Sequence, residues 1–183
     1  YGSITKEVRG LPDGEDNGYY GVNNVKAEID AAVADYVGDT SGNNVAGVFD
    51  TTTDIYKIRN FRDNVWDSQV DKYTVSVGGM TFSFKLTKDT SGNVIPYYLS
   101  KHNYKVDITM NSSLFVVESF VVTDDSGVKY FFDSDNREHA VTSDIGPLTI
   151  DKYTAWMLSK IEYLNGQTID FEYNTNTYDS WDF

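Results

Sequence analysis

Carboxylates dominate the chemistry this sequence could do: 28 Asp and Glu stand against 15 Lys and Arg in 183 residues, a formal charge of −13. Asp133, Asp135 and Glu138 follow one another at steps of two and three, a hard-oxygen set of the kind calcium takes. The turn glycine and twelve-residue spacing of an EF-hand are missing. The expectation is therefore a solvated acidic turn, with calcium as the ion to test. A glycoside-cleaving enzyme would need two carboxyls facing one cleft, about 5–5.5 Å or about 6.5–9.5 Å apart. Most of the acids (Asp124, Asp125, Asp133, Asp135) fall in turns, where a side chain capping its own backbone explains them. Only His102 and His139 could serve a Ser–His–acid triad, and no strained nucleophile elbow accompanies them. Cysteine is absent, which excludes disulfides, zinc–thiolate sites and thiol nucleophiles. The reading is a protein that is not an enzyme, with no catalytic residues and no cofactor.

Aromatic side chains offer the other chemistry, stacking on sugar rings. The candidates are Tyr19, Tyr20, Tyr97, Tyr98, Tyr178 and Trp181, with Tyr97, Tyr98, Tyr178 and Trp181 taken as the ligand-binding set. Tyr97 and Tyr98 are neighbours, so on a strand they point to opposite faces and only one can join an exposed platform. Alternating aromatics more often build a core. The acidic balance argues against nucleic acid and anionic membrane surfaces, because the phosphate term would be repulsive. No apolar run exceeds four residues, as in Leu114 to Val117, so membrane insertion by a spanning helix is not expected.

The elements that must position these residues fall into two regions of one mostly-β module, 1–183. Around residues 22–60 the period is helical. Val22, Val25, Ile29, Val33, Tyr36 and Val37 recur at three- and four-residue steps, Asn24 can cap the start and Gly38 the end. A second, shorter helix is expected over 52–60. From about 71 to 173 the period becomes two, and hairpins follow one another. Opposed residues share a face, so a correct turn must set apolar against apolar. A Gly78-Gly79 loop sets Val77 against Met80, Val75 against Phe82 and Tyr73 against Phe84, with Gly79 in a primed turn. Three-residue loops ending in Gly92, Gly127 and Gly166 pair a type I turn with a left-handed glycine. They set Phe84 against Tyr98, Leu86 against Pro96, Val122 against Tyr130, Phe120 against Phe132, and Ile161 against Ile169. The last register continues to Ser159 against Phe171 and Met157 against Tyr173, with Lys160 opposite Asp170 outside. Pro96 in a strand implies an edge or a bulge. The fold class expected is mainly β: antiparallel hairpins forming a sheet or sandwich, with a small helical insertion near 22–60.

Three segments, in order, carry a resemblance. Thr154-Ala155-Trp156-Met157-Leu158-Ser159-Lys160-Ile161 runs into Asn165-Gly166-Gln167-Thr168-Ile169-Asp170-Phe171-Glu172-Tyr173. It resembles the "W-x-L-x-K-I-x-x-x-N-G-x-x-I-x-F-x-Y" segment of bacterial RHS-repeat (tyrosine–aspartate, or YD, repeat) proteins. Gly2-Ser3-Ile4-Thr5-Lys6-Glu7-Val8-Arg9-Gly10-Leu11-Pro12-Asp13 is similar to the family's "GG-x-I-T-R-x-V-x-G-x-P-D". Phe120 to Phe132 is similar to "F-x-I-x-x-x-x-G-x-x-Y-x-F". One departure is Asp67-Ser68-Gln69-Val70-Asp71-Lys72-Tyr73, where the family has "D-x-E-P-D-x-F". Downstream repeats, a self-cleavage segment and a toxin region are also lacking.

The resemblance implies the N-terminal, pre-repeat region of such a protein, a non-enzymatic structural module with no catalytic residues to carry over. It implies a chain exported to the bacterial cell surface or exterior and contributing to a β-shell. Partners would be the remainder of a longer polypeptide and a glycan or surface protein. The rival reading is a carbohydrate-binding or adhesive module, and a glycoside hydrolase comes third. A module cut from a continuous shell is also expected to self-associate edge to edge, because an unpaired strand templates pairing.

Overall fold

The protein is described from a computed structural model that covers residues 2–9, 13, 18–20, 25–29, 69–111, 116–143 and 149–174, with only the backbone at 140–143 and 149–152. Among the described residues there are eleven strands: β1 Ser3–Glu7, β2 Lys72–Val77, β3 Met80–Lys88, β4 Val94–Tyr98, β5 Lys105–Asn111, β6 Val116–Thr123, β7 Lys129–Phe132, β8 Arg137–Ser143, β9 Thr149–Met157, β10 Lys160–Glu162 and β11 Thr168–Asp170. All pairings are antiparallel. They form a six-stranded sheet in the order β4-β3-β2-β1-β9-β8 and a five-stranded sheet in the order β11-β10-β7-β6-β5.

The registers follow from burying one face. In β2 and β3, Tyr73, Val75, Val77, Met80, Phe82, Phe84 and Leu86 alternate with exposed or half-buried polar residues. Their pairing is the one apolar matching demands, Tyr73 with Phe84, Val75 with Phe82 and Val77 with Met80. Phe120 opposes Phe132 and Val122 opposes Tyr130. Phe84 opposes Tyr98 and Leu86 opposes Pro96, which lies on β4, an outer strand where a missing N–H breaks no ladder. Gly78 and Gly79 both have positive φ, 58° and 80°, as a type I′ turn requires.

The inner faces of the two sheets meet in one core. Phe120 of the smaller sheet packs edge-on against Tyr73, Phe84 and Trp156 of the larger, with ring centroids 5.7, 6.0 and 5.1 Å apart. Edge-to-face packing places the positive rim of one ring on the negative face of another. The sheet-or-sandwich alternative thus resolves to two packed sheets.

One part of the expected pairing is wrong. The last hairpin was expected to run unbroken from Met157 to Tyr173, but Met157 belongs to β9, where it pairs with Ser3. The chain changes sheets at two consecutive residues: Leu158 N–H donates to Gly2 C=O at 3.0 Å, and Ser159 N–H donates to Phe131 C=O at 2.8 Å. Leu158 and Ser159 are both buried, which a regular half-buried strand cannot manage because successive side chains point to opposite faces. The predicted register holds beyond that point, with Ile161 opposite Ile169 and Lys160 opposite Asp170, and Phe171 N–H still reaches Ser159 C=O at 2.8 Å. Strands β8 and the start of β9 were not anticipated. Within the expected helix, residues 25–29 are helical and Val25 is buried. The rest of it, and the shorter helix at 52–60, lie outside the described residues.

Candidate functional site

The three Gly-bearing turns share one local solution. In each, the glycine N–H closes a tight turn on the residue three before it: Gly92 on Asp89, Gly127 on Asp124 and Gly166 on Tyr163, at 2.9–3.1 Å. All three glycines have φ of 80–86°. Asp89 and Asp124 cap their turns identically, each Oδ1 accepting from the backbone two and four residues on. The Asn93 side chain and backbone, with the Ser91 and Gly92 backbone, hold Asp89 below its usual pKa. Partial burial pulls Asp124 upward. Hydrogen bonds from Ser126, Val128 and Tyr130 outweigh it and hold the carboxyl low.

The candidate calcium ligands are not gathered. The Ser159 hydroxyl bonds to the Asp133 carboxylate. Asp135 takes the Ser134 hydroxyl at 3.2 Å, and Glu138 lies on β8 opposite Ala155. Among the described residues no three potential ligands form a metal-holding group.

The aromatic candidates separate as adjacent strand residues must. Tyr97 is 62% exposed on the outer face of β4, in line with exposed Ile95 and with exposed Leu99 just past the strand. Tyr98 points inward against Phe82 and Phe84, and its hydroxyl accepts the Val106 N–H at 2.9 Å. Burial raises its pKa. Tyr20 donates to Leu86 C=O at 3.1 Å and lies edge-on to Tyr19. Tyr178 and Trp181 lie outside the described residues.

Both histidines sit among rings. His102 is stacked on Tyr104 and flanked by Phe82 and Tyr98, with centroids 4.3–5.2 Å away. Its Nδ1 accepts the Tyr104 N–H at 3.2 Å. Its Nε2, like Trp156 Nε1, is buried without a partner among the described residues. His139 lies against Tyr153, whose face also carries the Arg137 guanidinium at 3.7 Å.

The pair of carboxylates that the fold does bring together was missed. Asp13 and Asp71 are both buried and bind each other's backbone. Asp71 accepts the N–H groups of Arg9 and Asp13 at 3.0 and 3.1 Å, while Asp13 accepts the Asp71 N–H at 3.2 Å. Lys6 Nζ, nearly buried itself, completes the cluster 2.9 Å from Asp71. Burial, then the charges of Asp71 and Asp13, raises the neighbouring Tyr73 phenol well above its usual pKa. The cluster ties Arg9 and Asp13 to Asp71 just before β2, with both carboxylates enclosed. The available signal was that each Asp falls in one of the segments quoted above, the "P-D" of the first and the "D-x-F" of the departing one.

The surface best suited to an external contact lies at β11. Val106, Val122, Tyr130, Ile161 and Ile169 form one row across five strands, all on the inner face. Exposure runs 3%, 0% and 8% over the first three; Ile161 is half-buried and Ile169 is 45% exposed. The apolar row therefore outruns the sheet that covers it. Leu164, at the tip of the same hairpin, is exposed too, although its side chain lies over Gly127. No protein-family model, curated protein or solved structure matches the chain.

Proposed function

We propose that this chain is a non-enzymatic structural module of an exported bacterial RHS-type protein, contributing to β-shell assembly or cell-surface interaction. The observation that carries this reading is the inner apolar row that continues to an exposed Ile169 on an outer strand. A self-contained sandwich gains nothing by leaving a core-facing residue in water, whereas a module joined to further sheet buries it there. The enclosed Asp13–Asp71–Lys6 clasp fits the same reading, since it fixes backbone and offers no access. An antibody raised against the chain tests it. Blots of producing cells should show a species far larger than 20.6 kDa that added protease removes from intact cells. A protease-protected 20.6 kDa species would refute it.

A second reading, glycan binding, draws on the 62% exposed Tyr97 between exposed Ile95 and Leu99. Binding to a glycan array that disappears with Tyr97→Ala would favour it.

A further inference from the structure

Strand β11 is an outer strand, and among the described residues only β10 pairs with it. Its hydrogen-bonding phase can be read from the turn. Tyr163 N–H donates to Gln167 C=O and Phe171 N–H to Ser159 C=O, both at 2.8–2.9 Å. Bonded and non-bonded pairs alternate in an antiparallel ladder. Ile161 and Ile169 are therefore a bonded pair, and the backbone groups of Thr168 and Asp170 point away from β10. They present a short template for another strand.

The side chains say what that strand must carry. On the inner face it would lie beside Ile169, whose exposed surface calls for an apolar neighbour. On the outer face the β11 positions are Thr168 and Asp170, and Glu172 follows at the same alternation, all exposed. Lys160 is opposite Asp170, but its Nζ sits over the Phe131 ring at 4.1 Å, and Lys129 lies 3.6 Å from Glu162. We infer that the β11 edge is a docking site for an extended segment in which apolar residues alternate with Lys or Arg. Its apolar side would extend the row that ends at Ile169, and its basic side would meet Asp170 and Glu172.

A second copy of this chain fits less well. One two-fold register does set Ile169 against Ile169 and Thr168 against Asp170. It also brings together two chains of charge −13 and offers Asp170 and Glu172 no basic partner. The inference deepens the structural-module reading and rests on it, while naming a partner chemistry of its own.

The test uses the whole chain and three synthetic ten-residue peptides: alternating Val/Lys, the same composition in two blocks, and alternating Val/Glu. Binding is read by fluorescence anisotropy at about 0.15 M salt, where charges beyond about 8 Å are screened. The alternating basic peptide should bind at least tenfold more tightly than either control. Asp170→Lys should weaken it about tenfold, as reversing a rim charge can. Thr168→Pro removes only an outward N–H, spares the β10 ladder, and should abolish binding. Equal affinity for the block peptide, or binding untouched by both variants, overturns the inference. A dimer in sedimentation that Thr168→Pro dissolves overturns it in favour of a second copy. Neither failure bears on the size and surface exposure of the native polypeptide, which test the structural-module reading separately.

Discussion

The two ends of the five-stranded sheet meet water differently. At one end the chain passes from β4 of the larger sheet to β5 of the smaller. There the Tyr98 hydroxyl takes the Val106 N–H at 2.9 Å, and Phe82, Tyr98, His102 and Tyr104 pack ring on ring beside it. A side chain supplies the partner that another strand would supply, and apolar surface fills the gap between the sheets. At the other end, all three residues of β11 are exposed, among them the inner-face Ile169, 45% in solvent. The same row of side chains connects the ends, so the difference lies in what covers them. One sheet end is closed from within its own chain; the other leaves its core-facing residue exposed.

Disrupting the enclosed parts should cost most. Asp71→Ala strands Lys6 and frees the Arg9 and Asp13 N–H groups, and should destabilise by ~3–5 kcal/mol, the range for breaking a buried pair. Denaturant unfolding measures it. If the loss is under 1 kcal/mol, Arg9 and Asp13 are not held as described. At the closed end, Tyr98→Phe keeps the ring and deletes the acceptor, leaving the Val106 N–H unsatisfied at about 1–3 kcal/mol. At the open end the turn matters more than the side chains. A Cβ at Gly166 would meet nothing within 4 Å, so Gly166→Val should cost about 1–3 kcal/mol through its positive φ alone. A thermal melt unchanged by that substitution would contradict the turn.

Acid should distinguish the hairpins. Asp89 and Asp124 have lowered pKa values in the folded chain. Their contribution is complete above the unfolded carboxylate value of about 3.9 and is lost as pH falls through the lower folded values. The β10–β11 turn begins with Tyr163 instead of an aspartate, so its amide signals should hold while those at residues 89–93 and 124–128 shift. The smallest effect belongs to the open end. Ile169→Thr should change stability by no more than about 0.5 kcal/mol, since that residue is already 45% exposed.

Much of the sheet could be read from residue order, because matching apolar residues across a turn admits few registers. Val77 with Met80, Phe120 with Phe132 and Ile161 with Ile169 all follow from that rule. The rule fails where two successive residues are buried: Leu158 and Ser159 carry the chain between sheets, and alternation alone cannot show it. The clasp was hidden for another reason. Asp13 and Asp71 are 58 positions apart, and a Pro-Asp-Gly stretch is explained locally as a turn. The exposed end of the apolar row was equally illegible, since periodicity identifies an inner face without saying how far its cover extends.

Amide hydrogen exchange compares the two ends most directly. Val106, whose N–H is held by Tyr98, should exchange slowly in the free chain, as should Ile169, whose N–H faces β10. Thr168 and Asp170 should exchange near the rate of unstructured peptide, because their N–H groups face solvent. Protection at Thr168 and Asp170 equal to that at Val106 would contradict the open edge on which the account depends.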